Sequence, residues 1–238
     1  QAVVEAIKAL NAAGKAITFY PFILMDQLPG NTLPDPWSDA ASQPILPWRG
    51  RITLARAPGQ SGSTDRTAAA AAEVATFFGT ALPVHFAITG EVVSYSGPAE
   101  WSYRRFILHY ANLCKAAGGV AAFCVGTELR GLTQIRAAAD TFPTVAALRQ
   151  LATEVKAILG PATKITYAAD WSEYFGYHSD DNLYFHLDPL WADPAIDFIG
   201  IDNYMPLSDW RDGENHLDAH WGDIHNTAYL ESNIAGGE

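Results

Sequence analysis

Apolar residues recur along this chain in two rhythms, one of helices and one of buried strands. From Ala2 to Ala13, Val3, Ile7 and Leu10 share one helical face while Glu5 and Lys8 fall on others, and Gly14 follows as a stop, so the spacing predicts a helix over 2–13. The next segment, Ala16 to Met25, is almost continuously apolar and closes on Asp26, which predicts a strand buried on both faces. The unit returns twice. Tyr103, Phe106, Ile107, Tyr110, Leu113 and Cys114 predict a helix over 99–117, stopped by Gly118-Gly119 and followed by a strand over 120–126. Val145, Leu148, Leu151, Val155 and Ile158 predict a helix over 144–159, stopped by Gly160-Pro161 and followed by a strand over 164–169. After the turn-forming Asp193-Pro194, a fourth buried strand is expected over 196–201.

Helix, glycine and buried strand in succession belong to α/β architecture, either a (β/α)8 barrel or a doubly wound sheet. The strand ends distinguish them. They run into Asp26, into Thr127-Glu128, into Asp170-Trp171-Ser172-Glu173-Tyr174, and into Asp202-Asn203-Tyr204. A barrel gathers its chemistry at the C-terminal ends of several strands, whereas a doubly wound nucleotide site would show a glycine-rich first turn, which is absent. The expectation is an α/β fold, a partial (β/α)8 TIM barrel, as one domain over 1–238. Residues 27–98 read as a long insertion after the first strand, with a proline-rich loop, an alanine-rich helix over about 65–78 and short strands at 51–55 and 84–95. Insertions of that length over a barrel mouth are functional or form interfaces.

Composition narrows the function. Fifteen Lys+Arg against 26 Asp+Glu give a net charge of −11 without a basic block, which excludes a nucleic-acid or polybasic membrane role. Nothing approaches the roughly 20 apolar residues of a membrane span, the richest run, Ala68 to Phe78, being broken by Glu73. Gln1 to Gly14 lacks the charged start and apolar middle of a signal peptide and reads as a folded helix. Cys114 and Cys124 fall on a helix and the next strand and read as reduced core thiols. Seven Trp, ten Tyr and eleven Phe exceed ordinary core needs, and carbohydrate sites use aromatic faces to stack on sugar rings. His178, His186, His216, His220 and His225 read as solvated. His216 and His220 have i, i+4 spacing without the intervening Glu of a zincin helix, so no metal and no cofactor are expected.

The sharpest feature is Phe123-Cys-Val-Gly-Thr-Glu128-Leu129, a buried strand ending in a carboxylate. Desolvated by aromatic neighbours, such a glutamate would hold its proton more tightly and could protonate a leaving group. Read structurally, it is a strand-end carboxylate paired with Arg130 or Arg49. The segment resembles the fourth-strand motif of the (β/α)8 retaining glycoside hydrolases, above all their mannanase-like branch, whose other motifs are matched by Tyr20-Pro21, Trp48-Arg49-Gly50, Tyr103-Arg104 and Tyr167-Ala168-Ala169-Asp170-Trp171. Longer motifs, from Tyr20 to Asp26, Pro47 to Gly50, Asp170 to Tyr174 and Gly200 to Trp210, resemble the TIM-barrel-like domain of the large tail-tip protein of gene transfer agents and related phages, over nearly the whole chain.

That resemblance implies the third to sixth strands of a barrel and a place in the tail hub or baseplate of a virion-like particle, beside other tail proteins and a cell-envelope glycan. The glycoside-hydrolase resemblance implies Glu128 as general acid/base, with Asp26, Trp48, Asp170, Trp171, Tyr174, Asp202, Asn203 and Tyr204 as substrate-binding residues. The clan's nucleophile, about 5 to 5.5 Å from the acid, ends a seventh strand that is not read in this chain. Thr127 stands where the clan usually keeps an Asn for the sugar 2-hydroxyl, although the mannanase-like branch tolerates Thr. The alternative reading is a structural hub module that keeps the barrel without its chemistry.

Overall fold

A computed structural model describes residues 1–204 and 206–236. The chain divides into two compact units, Gln1–Asp202 and Asn203–Glu238. The first contains α1 (Ala2–Ala12), β1 (Thr18–Phe19), α2 (Ala68–Phe78), β2 (Phe86–Thr89), β3 (Val92–Tyr95), α3 (Tyr103–Ala116), β4 (Ala122–Thr127), α4 (Arg130–Thr133), α5 (Pro143–Leu159), β5 (Lys164–Asp170), β6 (Tyr177–Ser179), β7 (Asn182–Tyr184), α6 (Asp188–Trp191) and β8 (Gly200–Asp202). The second contains α7 (Thr227–Gly236) and a 3-10 turn, Leu217–Trp221. Within that unit the Tyr229 ring is buried against Trp210 and Trp221, and its hydroxyl donates to Asp218 at 2.7 Å.

Four parallel strands form the main sheet in the order β1-β4-β5-β8. Among the described residues it stays open, a barrel segment without closure. The two central strands behave as their continuous apolar character predicts: all six residues of β4 and six of the seven in β5 are buried. Their side chains alternate in size. Phe123, Val125, Ile165 and Tyr167 join the core shared with α3 and α5, while Cys124, Gly126, Thr166 and Ala168 leave little bulk on the opposite face. Both cysteines are free and buried, and burial pushes each thiol up to about 12.

The outer strands depart from expectation. The buried strand expected over 16–25 is two residues long, and beyond it Phe22 and Leu24 are exposed. Pro21 has no N–H to donate to a ladder, and β1 has a single neighbour, so one flank has no partner among the described residues. The strand expected over 196–201 shrinks to Gly200–Asp202 for the same edge reason, leaving Phe198 and Ile199 exposed. The helix expected from 99 begins at Tyr103, because Ser102 turns the chain and accepts the Arg105 N–H at 3.3 Å. His186, expected to be solvated, is buried against the Phe142 and Tyr177 rings after the unforeseen β6-β7 hairpin, and desolvation lowers its pKa to about 4.

In the 27–98 insertion, α2 and the β2-β3 hairpin form, but 51–55 is not a strand. Arg49–Arg51 is instead a 3-10 turn, tied back to the proline-rich loop. Arg51 pairs with the buried Asp35 at 3.0 Å, and the Trp37 indole donates to the Arg51 carbonyl at 2.7 Å. Two glycines let this turn lie against α4. A Cβ on Gly131 would stand 2.6 Å from the carbonyl oxygens of Gly50 and Ile52, and one on Gly50 would strike the Trp48 ring. Gly131→Ala should therefore destabilise the fold by about 1–3 kcal/mol, as overpacking against backbone does, read as a lowered thermal unfolding midpoint.

Candidate active site

The sequence of β4 creates the site by ending abruptly. Its register against β5 shifts between Cys124 and Thr127, and Glu128 then adopts a left-handed φ of 47°, a conformation that costs a non-glycine residue of order 1 kcal/mol or more. The kink is held from behind. Glu128 N–H donates to the Ala168 carbonyl at 2.8 Å, and the next amide, Leu129 N–H, donates to the Tyr167 hydroxyl at 2.8 Å. Gly126 fits between the Tyr103 hydroxyl and the Tyr167 ring, where any Cβ would come within 3.0 Å of both.

In front of the kink the insertion delivers Trp48 and Arg49. The Trp48 indole N–H donates to Glu128 Oε2 at 2.6 Å, and Arg49 Nη2 lies 2.9 Å from the same oxygen. Arg49 Nε donates to both the Thr127 carbonyl and its hydroxyl, and Nη2 donates to the Tyr20 hydroxyl at 3.3 Å. Tyr20 in turn donates to Asp202 Oδ2, an oxygen that stands 4.0 Å from Arg49 Nη2. Parallel pairing sets Asp202 directly beside Asp170. The C-terminal ends of β1, β4 and β8 thus converge on one guanidinium, which also covers the Phe22 ring at 5.0 Å.

Two opposing influences set the proton affinity of Glu128. Burial raises its pKa, the Trp48 hydrogen bond and Arg49 lower it, and the negative charges of Asp202 and Asp170 raise it again, leaving the carboxyl above its ordinary range. Burial, then the Asp202 hydrogen bond, likewise push the Tyr20 phenol up, so it acts as a donor. The geometry supports proton transfer at Glu128 beside a cation that can offset the charge left behind. Among the described residues, no group of three or more His, Cys, Asp or Glu is arranged to hold a metal ion.

Of the residues singled out from sequence, Glu128, Trp48 and Asp202 meet in this cluster, and Asp170 faces it electrostatically. The Asp170 carboxylate also caps its own turn, accepting the Ser172 N–H at 3.0 Å and the Ser172 hydroxyl. Trp171 and Tyr174 pack on Phe175 in the turn after β5, and Tyr174 is half exposed. Asp26 is exposed, and among the described residues no hydrogen bond joins it to the cluster. Asn203 and Tyr204 open the second unit, with Tyr204 exposed. Of the two arginine partners expected for Glu128, Arg49 is the one that pairs.

A family model described as the GTA TIM-barrel-like domain matches residues 101–238, more than half of the chain. The chain belongs to the GTA TIM-barrel-like domain family. No curated protein matches it. In this GTA domain the matched region carries Glu128, Asp170 and Asp202, while Tyr20, Trp48 and Arg49 come from the residues before it.

Sequence reasoning passed over Arg49, Tyr20 and Glu173 as site residues. Glu173 is buried and accepts the Thr133 hydroxyl at 2.6 Å, the Tyr167 hydroxyl at 3.1 Å and the Asp170 N–H at 2.8 Å. It therefore anchors the tyrosine that pins Leu129. The only sign of it was its place in the Asp170–Tyr174 motif. Burial, only partly offset by those donors, raises its pKa to about 7. A carboxyl with a raised native pKa binds more protons folded than unfolded, so the GTA domain loses stability as pH rises from the unfolded value near 4.5 through about 7. Glu173→Gln should flatten that decline in chemical-denaturation midpoints measured across the interval; an unchanged slope would show that Glu173 titrates normally.

Proposed function

We propose that this GTA domain is a glycoside-hydrolase-like module of a virion-like tail, which binds a cell-envelope glycan at its strand ends and cleaves it with Glu128 as general acid. The observation that carries this reading is the Glu128 carboxyl itself, buried, kinked into position and holding its proton more tightly than an ordinary glutamate. Trp48, a little over one-third exposed while its N–H grips Glu128, offers a ring face on which a sugar can stack. Glu128 gives its proton to the glycosidic oxygen, and Arg49 stabilises the carboxylate that results. The second carboxylate of a retaining cleavage is, by the resemblance, the one that ends the clan's seventh strand.

A second reading has its own support. The Arg49–Glu128 pair and the Trp48 hydrogen bond also fasten the insertion to β4, which is what a non-catalytic hub for tail or baseplate assembly would need. The two readings separate when the intact protein is incubated with purified envelope polysaccharide and newly formed reducing ends are counted. Hydrolysis should fall about 10²–10⁴-fold in Glu128→Gln, with polysaccharide binding retained. Equal rates in both proteins would remove Glu128 from the chemistry, and no hydrolysis by the wild type would favour the hub.

A further inference from the structure

Beside the strand-end cluster runs a groove of about 920 Å³, bounded by the rings of Phe22, Phe77, Tyr95, Trp101, Phe106 and Tyr110. Large aromatic side chains left in water at the rim of an apolar groove mark binding surfaces more often than they mark chance. Trp101 is 95% exposed, the extreme among the large apolar side chains together with Leu217. The Arg105 guanidinium lies 4.3 Å from the Trp101 ring and 4.3 Å from the Tyr95 ring, a cation held between two aromatic faces.

The Arg105 guanidinium has one hydrogen-bond partner, the Glu100 carbonyl, and among the described residues it forms no ion pair. The nearby Glu100 carboxylate is taken up by Thr80, Ala81 and Ser102. In a chain of net charge −11, an unpaired guanidinium in an aromatic groove is an exception. Stacking covers the faces of the guanidinium and leaves its N–H edge for an acceptor in the same plane, the geometry that suits a carboxylate. Repulsion from the acidic surface disfavours a polyanion such as nucleic acid, so a flat, hydroxylated ring bearing a single acidic group fits best. The groove also joins the site already described, because Phe22 forms its wall and lies beneath Arg49.

We infer that this groove binds an acidic sugar, its ring stacked on Trp101 and its carboxylate held by Arg105, as an extension of the cleft at Glu128. The extension rests on the glycan reading above; binding in the groove does not. The test is calorimetric titration of the intact chain with a tetrasaccharide carrying a single glucuronate and with a neutral tetraglucan, in the wild type and in Arg105→Gln, Arg105→Lys and Trp101→Ala. The wild type should bind the acidic oligosaccharide at least about tenfold more tightly than the neutral one, a difference that Arg105→Gln abolishes and Arg105→Lys only reduces. Trp101→Ala, an exposed position, should weaken both sugars. Equal affinity for the two sugars, no binding of either, or indifference to Arg105→Gln would overturn the inference. Acidic-sugar binding without hydrolysis by the wild type would uphold the groove while the glycosidase reading fails.

Discussion

The part-buried guanidinium of Arg49 is the constraint on which the strand-end architecture depends. It satisfies the Thr127 carbonyl and hydroxyl, the Tyr20 phenol and the Glu128 carboxylate at once, and Asp202 stands at its edge. With the Arg49 and Glu128 side chains 16% and 5% exposed, neither charge can fall back on water. A pair so desolvated adds little net stability over an apolar pair, yet loss of one partner strands the other at a cost of about 3–5 kcal/mol. The pair therefore acts as a condition of correct assembly: a loop far away in sequence must dock before the end of β4 can be buried. The proline-rich segment before Arg49, braced through Asp35, Trp37 and Arg51, makes that docking definite.

Behind the guanidinium a second polar layer fixes the backbone rather than the charge. Tyr103 donates to the Val125 carbonyl, Tyr167 receives the Leu129 N–H, and Glu173 receives Tyr167, so the left-handed turn at Glu128 is held by buried hydrogen bonds from three elements. Strained residues persist only where their surroundings over-determine them, and functional sites are where such strain collects. The kink and the raised proton affinity of Glu128 thus share one origin in burial at a strand end. The residues that keep water away from Glu128 are those that lock the insertion onto the barrel segment.

The central part of this architecture was legible because β4 and β5 are buried on both faces and α3 and α5 display full amphipathic stripes. The edges were not, because an apolar run such as Tyr20 to Met25 reads the same whether the sheet continues beyond it or stops. Glu128 stood out from its place at the end of a buried run, but its partners lay beyond any periodic signal: Arg49 reaches Thr127 across 78 positions and Tyr20 reaches Asp202 across 182. Glu173 escaped notice because a carboxylate in a polar turn is ordinarily solvated, and its burial depends on Thr133 and Tyr167 converging from separate elements. Trp171 and Tyr174, named as substrate-binding residues through the resemblance, share a turn with Phe175.

The most direct test of the Arg49–Glu128 arrangement is a carboxyl-resolved NMR titration of the intact chain, with the Glu128 signal assigned by its loss in Glu128→Gln. The Glu128 carboxyl should titrate above the ordinary glutamate value of 4.5 and move higher still in Arg49→Met, where the cation that favours its ionised form is gone. Titration at the ordinary value, unmoved by the loss of Arg49, would mean that the acid is solvated and unpaired and that the strand-end cluster does not form.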